Sequence, residues 1–143
     1  MKKHTIYGWK ILGGDEDNEM PIAKNIARWH HEKWDGSRYP DGLKGEQIPV
    51  EARIVALADS YDAFRFPLPY KKELSHEKVV KIILEGDGST PPDHFDPEIL
   101  RLFRKYQRYS MKYIELILPQ IGRQIQTTPY NNNIYSMFGN NKH

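Results

Sequence analysis

Apolar residues recur every three or four positions through most of the chain, which is the pattern of amphipathic helices. The pattern predicts a short helix from His4 to Leu12, ended by Gly13-Gly14. A second helix, with Pro21 near its start, has an apolar face that runs into His30 and His31. We therefore expect this second helix to carry the two adjacent histidines.

Four more helices are predicted further along the chain. The first follows Pro49, and its core-facing stripe is expected to consist of Ile54, Leu57, Ala58 and Tyr61. The second is SHEKVVKIILEG, in which Ser75 is the predicted cap and Gly86 the terminator. The third starts at Asp96-Pro97-Glu98, where an N-cap precedes a proline at the first helical position. Tyr106 to Ile121 is expected to form a further helix.

Between the second and third helices lies WDGSRYPDGLKGEQIP, with three glycines and two prolines in sixteen residues. This composition favours an ordered loop with forced turns. Strand-like alternation is essentially absent, so the predicted fold class is all-α, a helical bundle with one long ordered loop. We expect a domain over residues 1–121 and a loosely ordered, asparagine-rich tail over residues 122–143.

Composition excludes several classes of function. The chain has 143 residues, 21 Lys and Arg against 19 Asp and Glu, and a formal charge of +2, too balanced to predict nucleic-acid binding. It has no cysteine, which suits a cytoplasmic location and leaves His, Asp and Glu as the strong metal ligands. The start of the sequence lacks the continuous apolar segment of a signal peptide, and no window predicts a membrane span.

The candidate metal ligands are His4, His30, His31 and Asp59. Adjacent helical residues project about 100° apart, so His30 and His31 are expected to serve different ions of one cluster. The alternative is one surface histidine and one core histidine. Asp59 has mostly small apolar helical neighbours, so its carboxylate is expected to be buried and to need a cation or a buried hydrogen bond. Gly8, four residues after His4, would let another backbone or a ligand approach that turn closely.

Such a nitrogen and oxygen donor set suits iron, manganese or zinc better than magnesium.

The pattern HHEKWDGSRYPDGLKGEQIP, followed by ARIVALADSYDA, resembles the signature of the HD-GYP domain, a branch of the HD metal-dependent phosphohydrolases. The similarity extends upstream to His4 and downstream to HFDPEIL, and it covers about residues 4 to 105.

The resemblance implies an all-α phosphodiesterase that hydrolyses cyclic di-GMP to pGpG or GMP at a centre of two or three metal ions, usually iron or manganese. It implies that His4, His30, His31 and Asp59 are metal ligands and that an ion-activated hydroxide is the nucleophile. It also implies that Lys71 contacts substrate phosphate and that Tyr39 helps to hold a guanine or the loop. For both, ordinary roles as a solvated lysine and a packing tyrosine stay open.

The sequence departs from the family pattern in three ways. Arg38 stands where the Gly-Tyr-Pro triplet has its glycine, which would be strained at positive φ and would otherwise add a cation to the loop. Leu68 stands where the family tends to carry an arginine. The His-Asp pair is expected before His4, yet no His-Asp dipeptide occurs. The predicted bundle is therefore incomplete, and its exposed apolar surface predicts poor solubility or a homo-oligomer.

Three hypotheses remain from the sequence. The first is part of an HD-GYP domain whose parent activity is cyclic di-GMP hydrolysis. The second is a degenerate, non-catalytic relative that binds a nucleotide, or a protein partner through the 34–48 loop. The third, a helical interaction domain with incidental histidines, is disfavoured by the length of the matching pattern. Metal content and product analysis distinguish these hypotheses.

Overall fold

The computed structural model describes residues 3–15, 19–65 and 74–109, in which helices are joined by turns and loops and no strand occurs. The helices are α1 (His4–Ile11), α2 (Pro21–Trp29), α3 (Val50–Arg65) and α4 (His76–Glu85). Helix α5 begins at residue 97 and is described to residue 109. Two short 3-10 helices occupy Gly45–Gln47 and Pro92–His94. The all-α prediction is confirmed, and none of the described helices is long and apolar enough to cross a bilayer.

The chain divides into two compact units, Met1–Lys105 and Tyr106–His143, and the candidate site belongs to the first. The predicted helix from Tyr106 to Ile121 is described only over residues 106–109, which are helical. The rest of that helix, the predicted boundary at residue 121 and the predicted tail lie outside the described residues. Lys71 and Leu68 also lie outside them.

The predicted helix ends are confirmed by their hydrogen bonds. The Ser75 hydroxyl accepts a hydrogen bond from the backbone N–H of Lys78 at 3.3 Å, and α4 ends at Gly86, whose φ is 85°. The Asp96 carboxylate accepts a hydrogen bond from the backbone N–H of Glu98 at 2.8 Å and so caps α5. A positive φ suits glycine, and a side-chain acceptor satisfies a donor that the helix leaves unpaired.

The hydrophobic core lies where α3, α4 and the start of α5 meet. Its buried members are Leu57, Val79, Ile83 and Phe95, with partly buried Tyr61, Phe64, Leu74, Ile99, Leu100 and Phe103 packed against them. The predicted stripe on α3 is therefore only partly right. Leu57 is buried, but Ile54 is 52% exposed and Ala58 is exposed, while Ala52 and Ala56 face inward instead. Since α3 has apolar residues on more than one side, periodicity did not identify the packed face.

We predict that Leu57→Ala lowers the free energy of unfolding by about 2–5 kcal/mol, because it removes a buried side chain and leaves a cavity. Ile54→Ala, on the same helix, is the control and should change it by about 0.5 kcal/mol or less, because that side chain is half exposed. Urea unfolding followed by circular dichroism measures both. Equal losses would show that the assignment of the packed face of α3 is wrong.

Candidate metal centre

Three histidines from two helix ends converge on one point. His4 is the first residue of α1, while His30 and His31 directly follow α2. A ring nitrogen of each lies within 4.8 Å of the others, and the Nε2 atoms of His4 and His31 are 3.0 Å apart. Ring nitrogens gathered in this way are the arrangement of a transition-metal site.

The end of α2 at Trp29 explains how adjacent histidines come together. We expected α2 to carry both rings at helical angles, but His30 is the C-cap and His31 lies in the following turn. Their ring centroids are only 4.1 Å apart. The expectation that the two rings point about 100° apart assumed that both residues lie inside a helix. Because both histidines follow the last residue of α2, that argument against a shared site does not hold here.

The orientation of His30 is fixed by a backbone contact. Its Nδ1 lies 2.8 Å from the carbonyl oxygen of Ile26, one helical turn earlier. Because a carbonyl can only accept, Nδ1 must carry the proton, and Nε2 of the neutral ring is left with a free lone pair. A hydrogen bond from the second nitrogen is how metal-binding histidines are usually oriented.

His31 is held in its neutral form. Its pKa is lowered to about 4, mainly by burial and next by the repulsion that a proton on His30 would exert, while the negative charge of Asp59 opposes the shift. The ring is therefore unprotonated at neutral pH, which is the form that binds metal. The positive charge of Lys33 acts in the same direction as burial.

Asp59 is the candidate ligand whose environment was predicted wrongly. Its side chain is exposed on α3, not buried among small apolar neighbours. Val55 and Ala63, four residues before and after it on the helix, do not cover its side chain. Its carboxylate is not one of the ligand atoms within 4.8 Å of each other in the described chain, although its charge acts on both His31 and Lys33.

The close approach expected at Gly8 is also not required. A Cβ placed there would stand 3.5 Å from the Cβ of Ala27 on α2, an ordinary van der Waals contact. Helices α1 and α2 pack against each other along this side. Their packing, and not a missing side chain at Gly8, brings His4 to His31.

The loop after α2 reaches the histidines through Tyr39. The centroids of the Tyr39 and His31 rings are 5.2 Å apart, so Tyr39 forms one wall of the site. Arg38 precedes it, is exposed, and has no positive φ, since among the described residues only glycines do. The alternative that Arg38 is strained is thereby removed, and the alternative that it adds a cation to the loop remains.

Glu32 holds this loop in place, a role that sequence reasoning missed. Its side chain is buried, and Oε1 accepts hydrogen bonds from the backbone N–H groups of Asp41 at 2.7 Å and Gly42 at 3.0 Å. Every residue except proline carries a backbone donor, so residue types do not indicate this contact. The return of the loop is thus tied to the residue next to His31.

A second contact anchors the loop to both helices of the site. Arg28 binds the Asp41 carboxylate through two nitrogens, at 2.8 and 3.1 Å, and Trp29 Nε1 donates to the same carboxylate at 2.7 Å. The Arg28 guanidinium holds the pKa of Asp41 below its usual range. It also lies 4.4 Å from the ring centroid of Trp9 on α1, within cation–π range.

The loop is joined to the core by Arg53. Its guanidinium donates to the carbonyl oxygen of Ile48 at 2.7 Å and pairs with Asp96 at 2.6 Å. Trp34 donates its backbone N–H to the His94 carbonyl at 2.9 Å, and His94 Nε2 lies 3.8 Å from an Asp35 oxygen. The ligand atoms of Asp35, Asp93 and His94 also lie within 4.8 Å of one another, a second cluster that ties the loop to the turn before α5.

We predict that Glu32→Ala lowers the free energy of unfolding by about 1.5–3 kcal/mol, because two backbone N–H groups of the loop lose their charged acceptor. It should also remove the hydrogen-exchange protection of the Asp41 and Gly42 amides, measured by NMR. Glu32→Gln keeps an acceptor of the same shape and serves as the control. Protected amides in the alanine variant would contradict the assigned role.

Comparison with known proteins finds similarity over most of the chain. The family model described as HD domain matches residues 1–99. A Vibrio cholerae protein named probable cyclic di-GMP phosphodiesterase is 55% identical over 109 residues, 72% of this chain and 24% of that protein. A Thermotoga maritima cyclic di-GMP phosphodiesterase is 38% identical over 134 residues, 90% of this chain and 35% of its own length.

The relatives are not uniform in their named substrates. Another Vibrio cholerae protein, 3'3'-cGAMP-specific phosphodiesterase 2, is 39% identical over 106 residues, 74% of this chain and 20% of that protein. The chain thus spans between about a fifth and a third of the length of these three relatives.

Proposed function

This chain belongs to the HD domain family, and from that premise we propose that it supplies part of the catalytic centre of a metal-dependent phosphodiesterase that hydrolyses cyclic di-GMP to pGpG or GMP. The observation that carries the proposal is the convergence of ring nitrogens from His4, His30 and His31 within 4.8 Å. The choice of substrate rests on the names of the relatives that are 55% and 38% identical.

The donor set supports a bound divalent transition metal, and we propose iron or manganese. Three imidazole nitrogens suit such ions, and Asp59 would add a carboxylate oxygen from the exposed face of α3. When bound, divalent ions neutralise charge on phosphate oxygens and make water a better nucleophile at neutral pH. The sequence contains no His-Asp dipeptide, so the ligands which that pair supplies in the family pattern are not among those of this chain.

The residues of the chain have distinct tasks in this proposal. His30 presents Nε2 because Ile26 occupies its other nitrogen, and His31 presents a neutral ring because burial and its neighbours lower its pKa. Tyr39, whose ring lies against His31, would contact the substrate base or keep the loop closed on that ring. Lys71 is assigned to substrate phosphate by the resemblance alone.

The proposal includes the surroundings of the protein. We expect a cytoplasmic location, a protein partner that binds the 34–48 loop, and self-association. Support for self-association comes from large apolar side chains that are exposed in the first unit, including Tyr7, Ile11, Ile22, Val50 and Ile54. Scattered exposed apolar residues are common, so their number on α1, α2 and α3 matters more than any one of them.

We predict that His31→Ala lowers the affinity for Fe²⁺ or Mn²⁺ by at least about tenfold, because loss of groups that merely orient a ligand already costs about 10- to 100-fold. Asp59→Ala should also lower it. Metal content after dialysis, measured by mass spectrometry, is the readout, and His143→Ala is the control for loss of a histidine. Equal metal in parent and His31→Ala, with helicity unchanged, would refute the site.

We predict that the chain loaded with iron or manganese converts cyclic di-GMP to pGpG or GMP, and that His31→Ala abolishes the conversion. Chromatography of the products measures it, with 3'3'-cGAMP assayed in parallel because one relative is named for that substrate. Binding of cyclic di-GMP by a metal-loaded chain without turnover would contradict the prediction and favour the non-catalytic binding module.

A further inference from the structure

A second group of metal-binding side chains lies where the loop after α2 meets the turn before α5. It consists of Asp35, Asp93 and His94, which we call the Asp35 cluster. One ligand atom of each residue lies within 4.8 Å of those of the other two. The cluster shares no residue with the centre formed by the three histidines, and the proposed function gives its side chains no task.

The spacing within the Asp35 cluster suits a shared ion better than a hydrogen bond. Asp35 Oδ2 lies 3.8 Å from His94 Nε2. A hydrogen bond between a ring nitrogen and a carboxylate oxygen needs about 2.7–3.2 Å, so these two atoms do not form one. Two ligands of a tetrahedral ion, each bound at about 2.1 Å, stand about 3.4 Å apart. A small movement would therefore place both atoms on one ion.

Backbone hydrogen bonds hold the two segments of the cluster together. The N–H of Trp34 donates to the carbonyl oxygen of His94 at 2.9 Å, and the N–H of His94 donates to the carbonyl oxygen of Pro91 at 3.1 Å. The carbonyl oxygen of Trp34 accepts from the N–H of Gly45, also at 2.9 Å. These bonds involve His94 itself and the residue next to Asp35. The ligands are thus brought together by the fold, which reduces the ordering that binding must impose.

The His94 ring is enclosed without a hydrogen bond. Its side chain is 12% exposed, and its one charged contact within the described residues is the 3.8 Å approach to Asp35. A mostly buried polar group without a hydrogen bond costs free energy. An ion bound at Nε2 would supply the missing partner, because neutral imidazole is a good metal ligand.

The two carboxylates of the cluster carry negative charge without a basic partner. Within the described residues, no lysine or arginine lies at ion-pair distance from Asp35 or Asp93, and like charges at this separation repel. The N–H of Ser37 occupies Oδ1 of Asp35 at 2.9 Å, which leaves Oδ2 for a ligand. Asp93 is exposed, so an ion can enter from its side. A divalent cation would balance both carboxylates.

We propose that Asp35, Asp93 and His94 bind a divalent transition-metal ion at a second site, which joins the start of the loop to the turn before α5. One imidazole nitrogen and two carboxylate oxygens suit Mn²⁺ or Zn²⁺. Three protein ligands leave at least one position for water. The ion has a structural role, because Trp34 links this site to Gly45 at the far end of the loop. The site requires neither the three histidines nor a nucleotide substrate.

The test uses the full chain carrying His31→Ala, in which the centre formed by the histidines is weakened. Mn²⁺ is paramagnetic, so its titration should broaden the NMR signals of the His94 ring and the Ser37 amide. A further Asp93→Asn or His94→Gln change should lower the Mn²⁺ affinity at least about tenfold, because each removes a ligand. Glu85→Gln removes an exposed carboxylate that pairs with Lys81 on α4, and it should leave the affinity unchanged.

A change of metal preference provides a second readout. The chain has no cysteine, so His94→Cys introduces a single thiol at the site. Because thiolate is a softer ligand than imidazole, this variant should favour Zn²⁺ over Mn²⁺ more strongly than the parent does. A histidine that only pairs with Asp35 would cause no such shift. Circular dichroism checks the fold, and Asp93→Asn, at an exposed position, keeps the test valid if the His94 variants do not fold.

The outcomes separate the second site from the centre formed by the histidines. Equal Mn²⁺ affinity in His31→Ala with and without Asp93→Asn and His94→Gln would overturn the second site and reduce the cluster to an ion pair. In the parent chain, broadening at His94 but not at the three histidines would support the second site and overturn the metal centre of the proposed function. Broadening at the three histidines alone would do the reverse.

Discussion

The buried carboxylate of Glu32 is the constraint on which the arrangement of the site depends. It adjoins His31 in sequence and accepts two backbone hydrogen bonds from the far end of the turn that contains Tyr39. Both hydrogen bonds go to Oε1, while Oε2 is buried with no partner among the described residues. A buried carboxylate is costly, so without the loop contact neither oxygen would have a partner. The return of the loop brings Tyr39 against the His31 ring.

The same loop is joined to the hydrophobic core by charged groups with partners. Arg53 pairs with Asp96, and the side chains of both are mostly buried. A pair of this kind adds little net stability over apolar packing, but loss of either partner leaves a buried charge. Asp96 also caps α5, so one carboxylate fixes the start of that helix and the position of Arg53. The position of the loop is thereby coupled to α3 and α5.

Much of the fold could be predicted from the sequence because its signals are local. Ser75, Gly86 and Asp96 mark helix ends through chemistry that acts within a few residues. The packed face of α3 could not be predicted, because Ile54 and Leu57 are equally apolar and only the neighbouring helices choose between them. Likewise, small neighbours on the helix of Asp59 say nothing about what covers it, and the structure leaves it exposed.

In the candidate site, too, the residue types could be chosen from the sequence, but the positions of their side chains could not. The histidines and Asp59 could be chosen by their chemistry, but the end of α2 at Trp29 determines that His30 and His31 can lie together. Lys33 follows the same logic. A lysine in a polar loop predicts only a solvated charge, whereas its contacts with Ser60 and Phe95 depend on α3 and on the segment before α5. Because Phe95 also packs with Leu57, the packing that forms the core holds the Lys33 ammonium against α3.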